Sequence, residues 1–200
     1  MARRQLGSSF KPFVYLEALE NGFETYSVVV NDFVAFGKWA PKNFDGRYSY
    51  NSTLVNSLNL SLNVPAVKLL DAITVDKFKE GIGDNIKLTS EVKDLTAALG
   101  SVDSTPVNVA ANFSIFVNGG YIVKPNIIRE IRDNQDILIY VADIEKTKVF
   151  DSVDVSAITA MLKTVVSNGT ATRARVVDKN GRPIQQGGKT GTTNEHRTAW

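Results

Sequence analysis

Ser8 and Lys11 are the first residues along the chain whose types and spacing could do chemistry. Side chains three residues apart on a helix share one face, so this hydroxyl and this amine would come within reach of each other. Serine is a nucleophile once a base takes its proton, and lysine is such a base where burial or a second cation lowers its pKa. The pair therefore predicts covalent catalysis by serine. Ser90 and Lys93 have the same spacing, so spacing alone leaves both pairs open.

Two further motifs add a hydroxyl, an amide and a second amine. Ser-x-Asn occurs at 49–51, 57–59 and 61–63, and each copy could equally be a cap or a turn. Lys-Thr-Gly occurs once, at 189–191, against roughly 0.05 expected by chance. It is the most specific of the three motifs, and its lysine could lower the pKa of Lys11.

Composition excludes several other chemistries. The 200 residues include 0 Cys and 1 His, His196, which excludes thiolate nucleophiles and Cys-type zinc sites and leaves almost no His-based metal site. No nucleotide, flavin or metal motif is present, so no cofactor is expected. The net charge is +2 without a basic run, so nucleic acid is not an implied partner. His196 lies in a polar stretch without a Gly-x-Ser-x-Gly elbow and is interpreted as a loop histidine.

The elements that must position these residues are mainly helices. Apolar residues at helical spacing, bounded by capping and stop residues, predict helices over about 9–21, 53–60, 65–70, 106–117 and 153–166. Ser8 and Lys11 then lie at the N-terminus of the first helix, where free N–H groups favour an oxyanion. Residues 61–63 lie at a break between two helices.

The other segments are predicted to be loops and short strands. We expect an ordered loop around buried aromatic residues over 32–50 and a small hairpin over 127–140. The longest apolar run, 137–142, is far shorter than the ~20 residues that span a bilayer and is interpreted as a buried strand or hairpin arm. Residues 187–193 are predicted to form a strand whose glycines let another backbone or a ligand approach closely.

The order and context of the motifs resemble the penicillin-binding protein transpeptidase domain, of the class A, bifunctional type. The stretches that carry the resemblance are 4–13, 61–67 and 188–194, supported by 39–43, 99–106, 116–125 and 169–171. Leu6 stands where the family usually has Pro, and Thr198 where an acidic residue commonly precedes Ala-Trp. The resemblance covers essentially the whole chain. It implies an α+β, β-lactamase/transpeptidase-like fold, here mainly the helical part plus the Lys-Thr-Gly strand, with the central sheet incomplete.

The resemblance also implies a role for each motif residue. Ser8 would be the acylated nucleophile and Lys11 its base. Ser61 would relay a proton to the leaving amine, and it is preferred over Ser57 because Pro-Ala-Val follows it. Lys189 would be the second cation that lowers the pKa of Lys11.

The remaining motif residues would bind substrate. Asn63 would hold the substrate amide, and the terminal carboxylate would bind at Thr190, Gly191 and Thr192. The backbone N–H groups of Ser8 and Thr192 would form the oxyanion hole.

The reaction implied is attack by Ser8 on the D-Ala-D-Ala bond of a peptidoglycan stem peptide, followed by transfer of the acyl group to an amine of a neighbouring strand. Cross-linked cell wall would be the product, and β-lactams would acylate Ser8 stably. The parent protein would be membrane-anchored, with this domain on the periplasmic or wall side, although the chain itself carries neither signal nor anchor.

Residues 1–200 are expected to be a partial transpeptidase domain, cut at both ends and poorly stable or inactive alone. One alternative is a truncated, non-catalytic β-lactam-binding module. Another is a serine β-lactamase, which needs a base for deacylation; Glu91 is the nearest candidate, but it lacks the Glu-x-x-x-Asn context of that family.

Overall fold

The computed structural model describes residues 2–193, 199 and 200. Six α-helices organise this part of the chain: α1 (Lys11–Glu20), α2 (Leu54–Asn59), α3 (Asn63–Ile73), α4 (Val75–Ile82), α5 (Pro106–Ser114) and α6 (Ser152–Asn168). Short 3-10 segments lie at Gly7–Phe10, Gly83–Asn85, Leu95–Leu99 and Thr172–Ala174. The predictions over 9–21, 53–60, 65–70, 106–117 and 153–166 each correspond to one of these helices. Helix α4 was not predicted.

Helix α1 is the centre of the fold. Every residue of it except Glu20 is buried, and it packs against α2, α3, α4 and α6. A helix that is apolar on most of its surface is stable only inside a core. Phe10 and Phe13 continue this core, with ring centroids 5.6 Å apart. The position of α1 therefore fixes the segment immediately before it, which contains Ser8.

The break between α2 and α3 is built from local chain signals. The Thr53 hydroxyl accepts the Asn56 backbone N–H at 3.2 Å and caps α2, and Pro65 fits the first turn of α3, where no N–H donor is needed. Between the helices Ser61 has φ +55°. This left-handed backbone conformation turns the chain and ends α2 before α3 begins.

The strands form four separate antiparallel pairs. Strands β1 (Arg4–Gln5) and β4 (Asp103–Ser104) pair, as do β2 (Val28–Asn31) and β3 (Tyr50–Thr53). The remaining strands are β5 (Tyr121–Val123), β6 (Glu130–Arg132), β7 (Leu138–Val141) and β8 (Lys146–Lys148). Strands β5 and β8 pair, and β6 and β7 form the predicted hairpin.

Three expectations about these segments need correction. The apolar run at 137–142 is a hairpin arm but not a buried one, since Ile139 is 65% exposed. In the loop over 32–50, Phe33 and Phe44 are exposed rather than buried. Residues 187–193 form no regular strand in the described part of the chain. Gly191 and Trp200 exchange two backbone hydrogen bonds at 3.1 and 2.8 Å, and a strand needs such pairing at successive residues.

Among the described residues, no helix is both long and apolar enough to cross a membrane. His196, Asn194 and Thr198 lie outside the described residues.

Candidate active site

Ser8 lies in the 3-10 turn Gly7–Phe10 and leads directly into α1. Its side chain is half-buried and lines a pocket of about 450 Å³. Other polar residues that line this pocket are Ser61, Asn63, Thr170, Thr190, Thr192 and Thr193. Four distant segments of the chain therefore supply hydroxyl and amide groups to one cavity, and three of them are the motif segments at 8–11, 61–63 and 189–191.

Lys11, the first residue of α1, is fully buried. Its ammonium donates hydrogen bonds of 2.7 Å to the Ser61 carbonyl oxygen and 2.7 Å to Asn63 Oδ1, and lies 3.4 Å from Ser61 Oγ. No hydrogen bond joins the Ser8 hydroxyl to Lys11 or to another described residue. The spacing predicts that Ser8 and Lys11 lie within reach of each other, but the Lys11 ammonium is hydrogen-bonded to residues about fifty positions later.

Lys189 also contacts Ser61. Its ammonium donates to Ser61 Oγ at 2.7 Å and to the Thr190 carbonyl oxygen at 3.1 Å. Burial lowers the pKa of Lys189 to about 7. Burial, and secondly the charge of Lys189, lower the pKa of Lys11 well below its usual value. A buried lysine that loses its proton near neutral pH can act as a general base.

The structure selects one of the three Ser-x-Asn triplets. Ser61 and Asn63 both contact Lys11, whereas Ser57 is buried and donates to Ser52 Oγ at 2.9 Å. Ser49 accepts a hydrogen bond from Asn31 at 3.0 Å. Only the triplet at 61–63 meets the lysines among the described residues.

The second Ser-x-x-Lys pair, at 90–93, has a structural role. The Ser90 hydroxyl accepts the Asp103 backbone N–H at 2.8 Å, and the Lys93 side chain is exposed. Neither residue lines the pocket that contains Ser8.

Two glycines bring the segment 189–193 against the turn that carries Ser8. A Cβ atom at Gly7 would lie 2.6 Å from the Thr192 carbonyl oxygen, and one at Gly191 would lie 2.8 Å from the Leu6 carbonyl oxygen. Gly7 also has φ +54°, which favours glycine. The close backbone approach predicted for the Lys-Thr-Gly segment is therefore present.

Thr170 lines the pocket together with Thr190 and Thr192. The sequence did not assign Thr170 to the site. The Thr190 and Thr170 hydroxyls are hydrogen-bonded at 2.9 Å. The Thr170 backbone N–H donates to the Asn59 carbonyl oxygen at 3.3 Å, which ties this wall to α2. The signal for Thr170 in the sequence is its position in the stretch 169–171, between the end of α6 and the motif at 189.

The described residues offer no carboxylate for a water-activating role at Ser8. Glu91 is exposed and lines a different surface depression, beside Lys79 and Asp84. The described residues also hold no group of His, Cys, Asp and Glu that could bind a metal ion.

The chain is similar in sequence to penicillin-binding proteins along its whole length. Residues 2–198 match the family model described as the penicillin binding protein transpeptidase domain. Penicillin-binding protein 1A of Neisseria flavescens is 35% identical over 100% of this chain, and that of Neisseria meningitidis serogroup A is 37% identical. The chain spans 26% of the length of each, or about a quarter of these relatives.

Solved structures share the fold. Penicillin-binding protein 1A of Haemophilus influenzae superposes with a TM-score of 0.84 at 26% identity, covering 99% of this chain and 36% of its own. The D,D-transpeptidase domain of a peptidoglycan glycosyltransferase from Eggerthella lenta gives 0.84 at 19% identity, with 99% and 56% covered. The imipenem acyl-enzyme complex of penicillin-binding protein A from M. tuberculosis gives 0.84 at 16% identity, with 99% and 51% covered. The fold is the expected α+β transpeptidase type with an incomplete sheet, and the chain belongs to the penicillin-binding protein transpeptidase domain family.

Proposed function

We propose that the protein is a serine D,D-transpeptidase that takes the acyl group of a D-Ala-D-Ala stem peptide and cross-links peptidoglycan. The observation that carries the proposal is the meeting of Lys11 and Lys189 on Ser61 Oγ, at 3.4 and 2.7 Å, in the pocket lined by Ser8. Residues 1–200 would form one partial transpeptidase domain.

Acylation begins with proton removal from Ser8. Neutral Lys11 takes the hydroxyl proton, and Ser8 Oγ attacks the carbonyl carbon of the penultimate D-Ala. The backbone N–H groups of Ser8 and Thr192 stabilise the oxyanion that forms. This assignment is supported by the close contact of the Gly7 and Thr192 backbones.

Collapse of the intermediate needs a proton on the leaving amine. Ser61 gives its hydroxyl proton to the nitrogen of the terminal D-Ala, and a lysine ammonium next to Ser61 replaces that proton. The C–N bond breaks, D-Ala leaves, and Ser8 carries the acyl group as an ester. Both lysines lie within hydrogen-bonding distance of Ser61 Oγ, which supports this proton path.

Substrate binding uses the two walls of the pocket. Thr190, Gly191 and Thr192 bind the terminal carboxylate beside the positive charge of Lys189, and Asn63 holds the peptide amide. An amine of a second stem peptide then attacks the Ser8 ester and forms the cross-link. The proton moves in the reverse direction, from this amine through the same groups to Ser8.

β-Lactams are proposed as inhibitors that acylate Ser8. Penicillin-binding protein A from M. tuberculosis, which has a similar fold, forms acyl-enzyme complexes with imipenem and ceftriaxone. We expect this acyl adduct on Ser8 to be stable. We propose that the working protein lies at the extracytoplasmic, periplasmic face of the cytoplasmic membrane, where peptidoglycan is built.

The decisive experiment is intact mass spectrometry after incubation with a β-lactam, on the unchanged protein and on Ser8→Ala and Ser90→Ala. One adduct is expected on the unchanged protein and on Ser90→Ala and none on Ser8→Ala, with circular dichroism verifying folding. A folded protein without an adduct would contradict the proposal. Release of D-Ala from a D-Ala-D-Ala peptide separates the transferase from a non-catalytic β-lactam-binding module.

A further inference from the structure

We infer that Asn43 is a positioning residue of the active site and acts through Asn63. The inference rests on the proposed function and adds a residue from the loop between β2 and β3. Asn43 does not line the pocket, so it acts through the residues that it holds.

Asn43 supplies the cap that α3 lacks. Its Oδ1 accepts the backbone N–H groups of Asn63 at 2.9 Å and Val64 at 3.2 Å. These are the first N–H groups of the helix and have no partner inside it. The residue before α3 is Leu62, which has no side chain able to accept them. A side chain twenty residues earlier therefore fixes the start of the helix that carries Asn63.

The amide nitrogen of Asn43 also makes two hydrogen bonds. Its Nδ2 donates to Asn31 Oδ1 at 2.8 Å and to the Arg47 carbonyl oxygen at 2.7 Å. The side chain is 4% exposed. Asn43 therefore accepts two hydrogen bonds through Oδ1 and donates two through Nδ2. A side-chain amide can do both, and no other side chain of this size can. A buried and fully satisfied network of this kind is rigid.

The neighbouring residue completes the arrangement. The Lys42 carbonyl oxygen accepts a hydrogen bond of 2.8 Å from Asn63 Nδ2, which leaves Asn63 Oδ1 directed at the Lys11 ammonium, 2.7 Å away. The Asn43 side chain thus fixes the backbone of Asn63, and the Lys42 carbonyl oxygen fixes the Asn63 side chain. If Asn43 is removed, we expect the Asn63 amide to lose its fixed direction toward Lys11.

The test is a double-mutant cycle with Asn43→Ala, Asn63→Ala and the double variant, read out as the second-order rate of acylation by a β-lactam. Asn43→Ala is expected to lower the rate about tenfold, as for the loss of about one net hydrogen bond. In the Asn63→Ala background it should have almost no further effect. Additive effects would overturn the inference, since a purely structural residue would lower both backgrounds alike.

A conservative variant and a control sharpen the test. Asn43→Asp keeps the acceptor for both N–H groups, so it should recover part of the rate and move the acidic limb of the pH profile upward, because its charge favours protonated Lys11. Asn56→Ala removes an exposed amide whose Nδ2 donates to Ser52 Oγ at 3.0 Å and whose hydrogen bond involves neither Asn43 nor Asn63, and it should leave the rate unchanged. If Asn43→Ala does not fold, an unaltered pH profile for folded Asn43→Asp would overturn the inference.

A second readout separates this inference from the proposed function. If the unchanged protein forms no adduct, the proposed function fails, and the pKa of Lys11 is then followed through its ¹³Cε signal by NMR. Asn43→Ala should change that pKa in the unchanged background and not in Asn63→Ala. A pKa of Lys11 that is the same with and without Asn43 would overturn the inference.

Discussion

Lys11 and Lys189 direct their ammonium groups at one oxygen, Ser61 Oγ, from distances of 3.4 and 2.7 Å. Two cations in a buried space disfavour each other's protonated form, so they titrate as a coupled pair. One of the two amines is therefore expected to be neutral near pH 7. The proposed general base follows from this pairing.

Replacement of Lys189 by Met should change the pH dependence of acylation. Removal of the neighbouring positive charge raises the pKa of Lys11, so the acidic limb of the rate profile moves to higher pH and the rate near pH 7 falls by about tenfold or more. Stopped-flow acylation from pH 5 to 10 measures this. Lys163→Met, at an exposed lysine bonded to Gln185, is the control. An unmoved limb would argue against coupling.

Ser61→Ala should lower the reaction rate, whereas Ser57→Ala should lower the stability of the fold. Ser61→Ala removes the oxygen between the two lysines and is expected to lower D-Ala release by about a hundredfold, the size of a general acid–base contribution. Ser57→Ala breaks a buried hydrogen bond to Ser52, which should cost about 1 kcal/mol of stability and leave the rate almost unchanged. Rate assays and thermal unfolding of both variants decide. A rate loss confined to Ser57→Ala would refute the assignment.

Gly191→Ala should damage the site while Gly188→Ala is tolerated. A Cβ at Gly191 would lie 2.8 Å from the Leu6 carbonyl oxygen and 3.0 Å from the Ser9 backbone nitrogen, so the segment must move away from the Ser8 turn. Among the described residues, a Cβ at Gly188 would meet only Val166, at 3.8 Å, which is an ordinary contact distance. We expect acylation to fall at least about tenfold for the first variant only. Equal rates in both variants would contradict the close approach.

Glu17→Gln should stabilise the protein at alkaline pH. Burial, and secondly the charge of Glu20, raise the pKa of Glu17 from 4.5 to about 7, and Glu17 Oε1 has no hydrogen-bond partner among the described residues. A raised carboxyl pKa contributes stability that is complete below pH 4.5 and lost as the pH rises through 7, by at most about 3 kcal/mol.

Thermal unfolding from pH 4 to 9 tests this prediction. The Glu17→Gln variant should show a flatter pH dependence and a higher melting temperature at pH 8 than the unchanged protein. Glu24→Gln, at an exposed carboxylate, should behave as the unchanged protein does. Parallel pH curves for all three proteins would disprove the role of Glu17.

Local signals predicted most of the helices. Thr105 with Pro106, visible in the sequence, begins α5. The structure adds a cap for α6, the Asp151 side chain, which accepts the Val153 backbone N–H. Helix α4 was not predicted because only Phe78 and Ile82 of its eight residues are buried. Two apolar positions are too few to give a clear helical period. Its cap, Thr74, is an ordinary threonine until the structure shows its hydroxyl accepting the Lys77 N–H at 3.4 Å.

The candidate site was predictable in its residues but not in its contacts. Motif types indicated Ser8, Lys11 and Lys189, and the resemblance favoured Ser61 over Ser57, which the spacing of the triplets could not decide. In the structure Ser61 lies in a left-handed turn, and its Oγ is within hydrogen-bonding distance of both lysines. The role of Asn43 depends on a contact twenty residues along the chain, and no local pattern encodes such a contact.

The separation of the site residues along the chain also sets when the site can exist. Ser61 contacts Lys11 across 50 residues and Lys189 across 128. Ribosomes add about 5–20 residues per second, so Ser8, the proposed nucleophile, precedes Lys189 by roughly 10–40 s. During that interval the nascent chain holds Ser8 and Lys11 without the second cation that, after burial, lowers the pKa of Lys11. We therefore expect Ser8 to become reactive only after synthesis has passed Lys189 and that segment has docked.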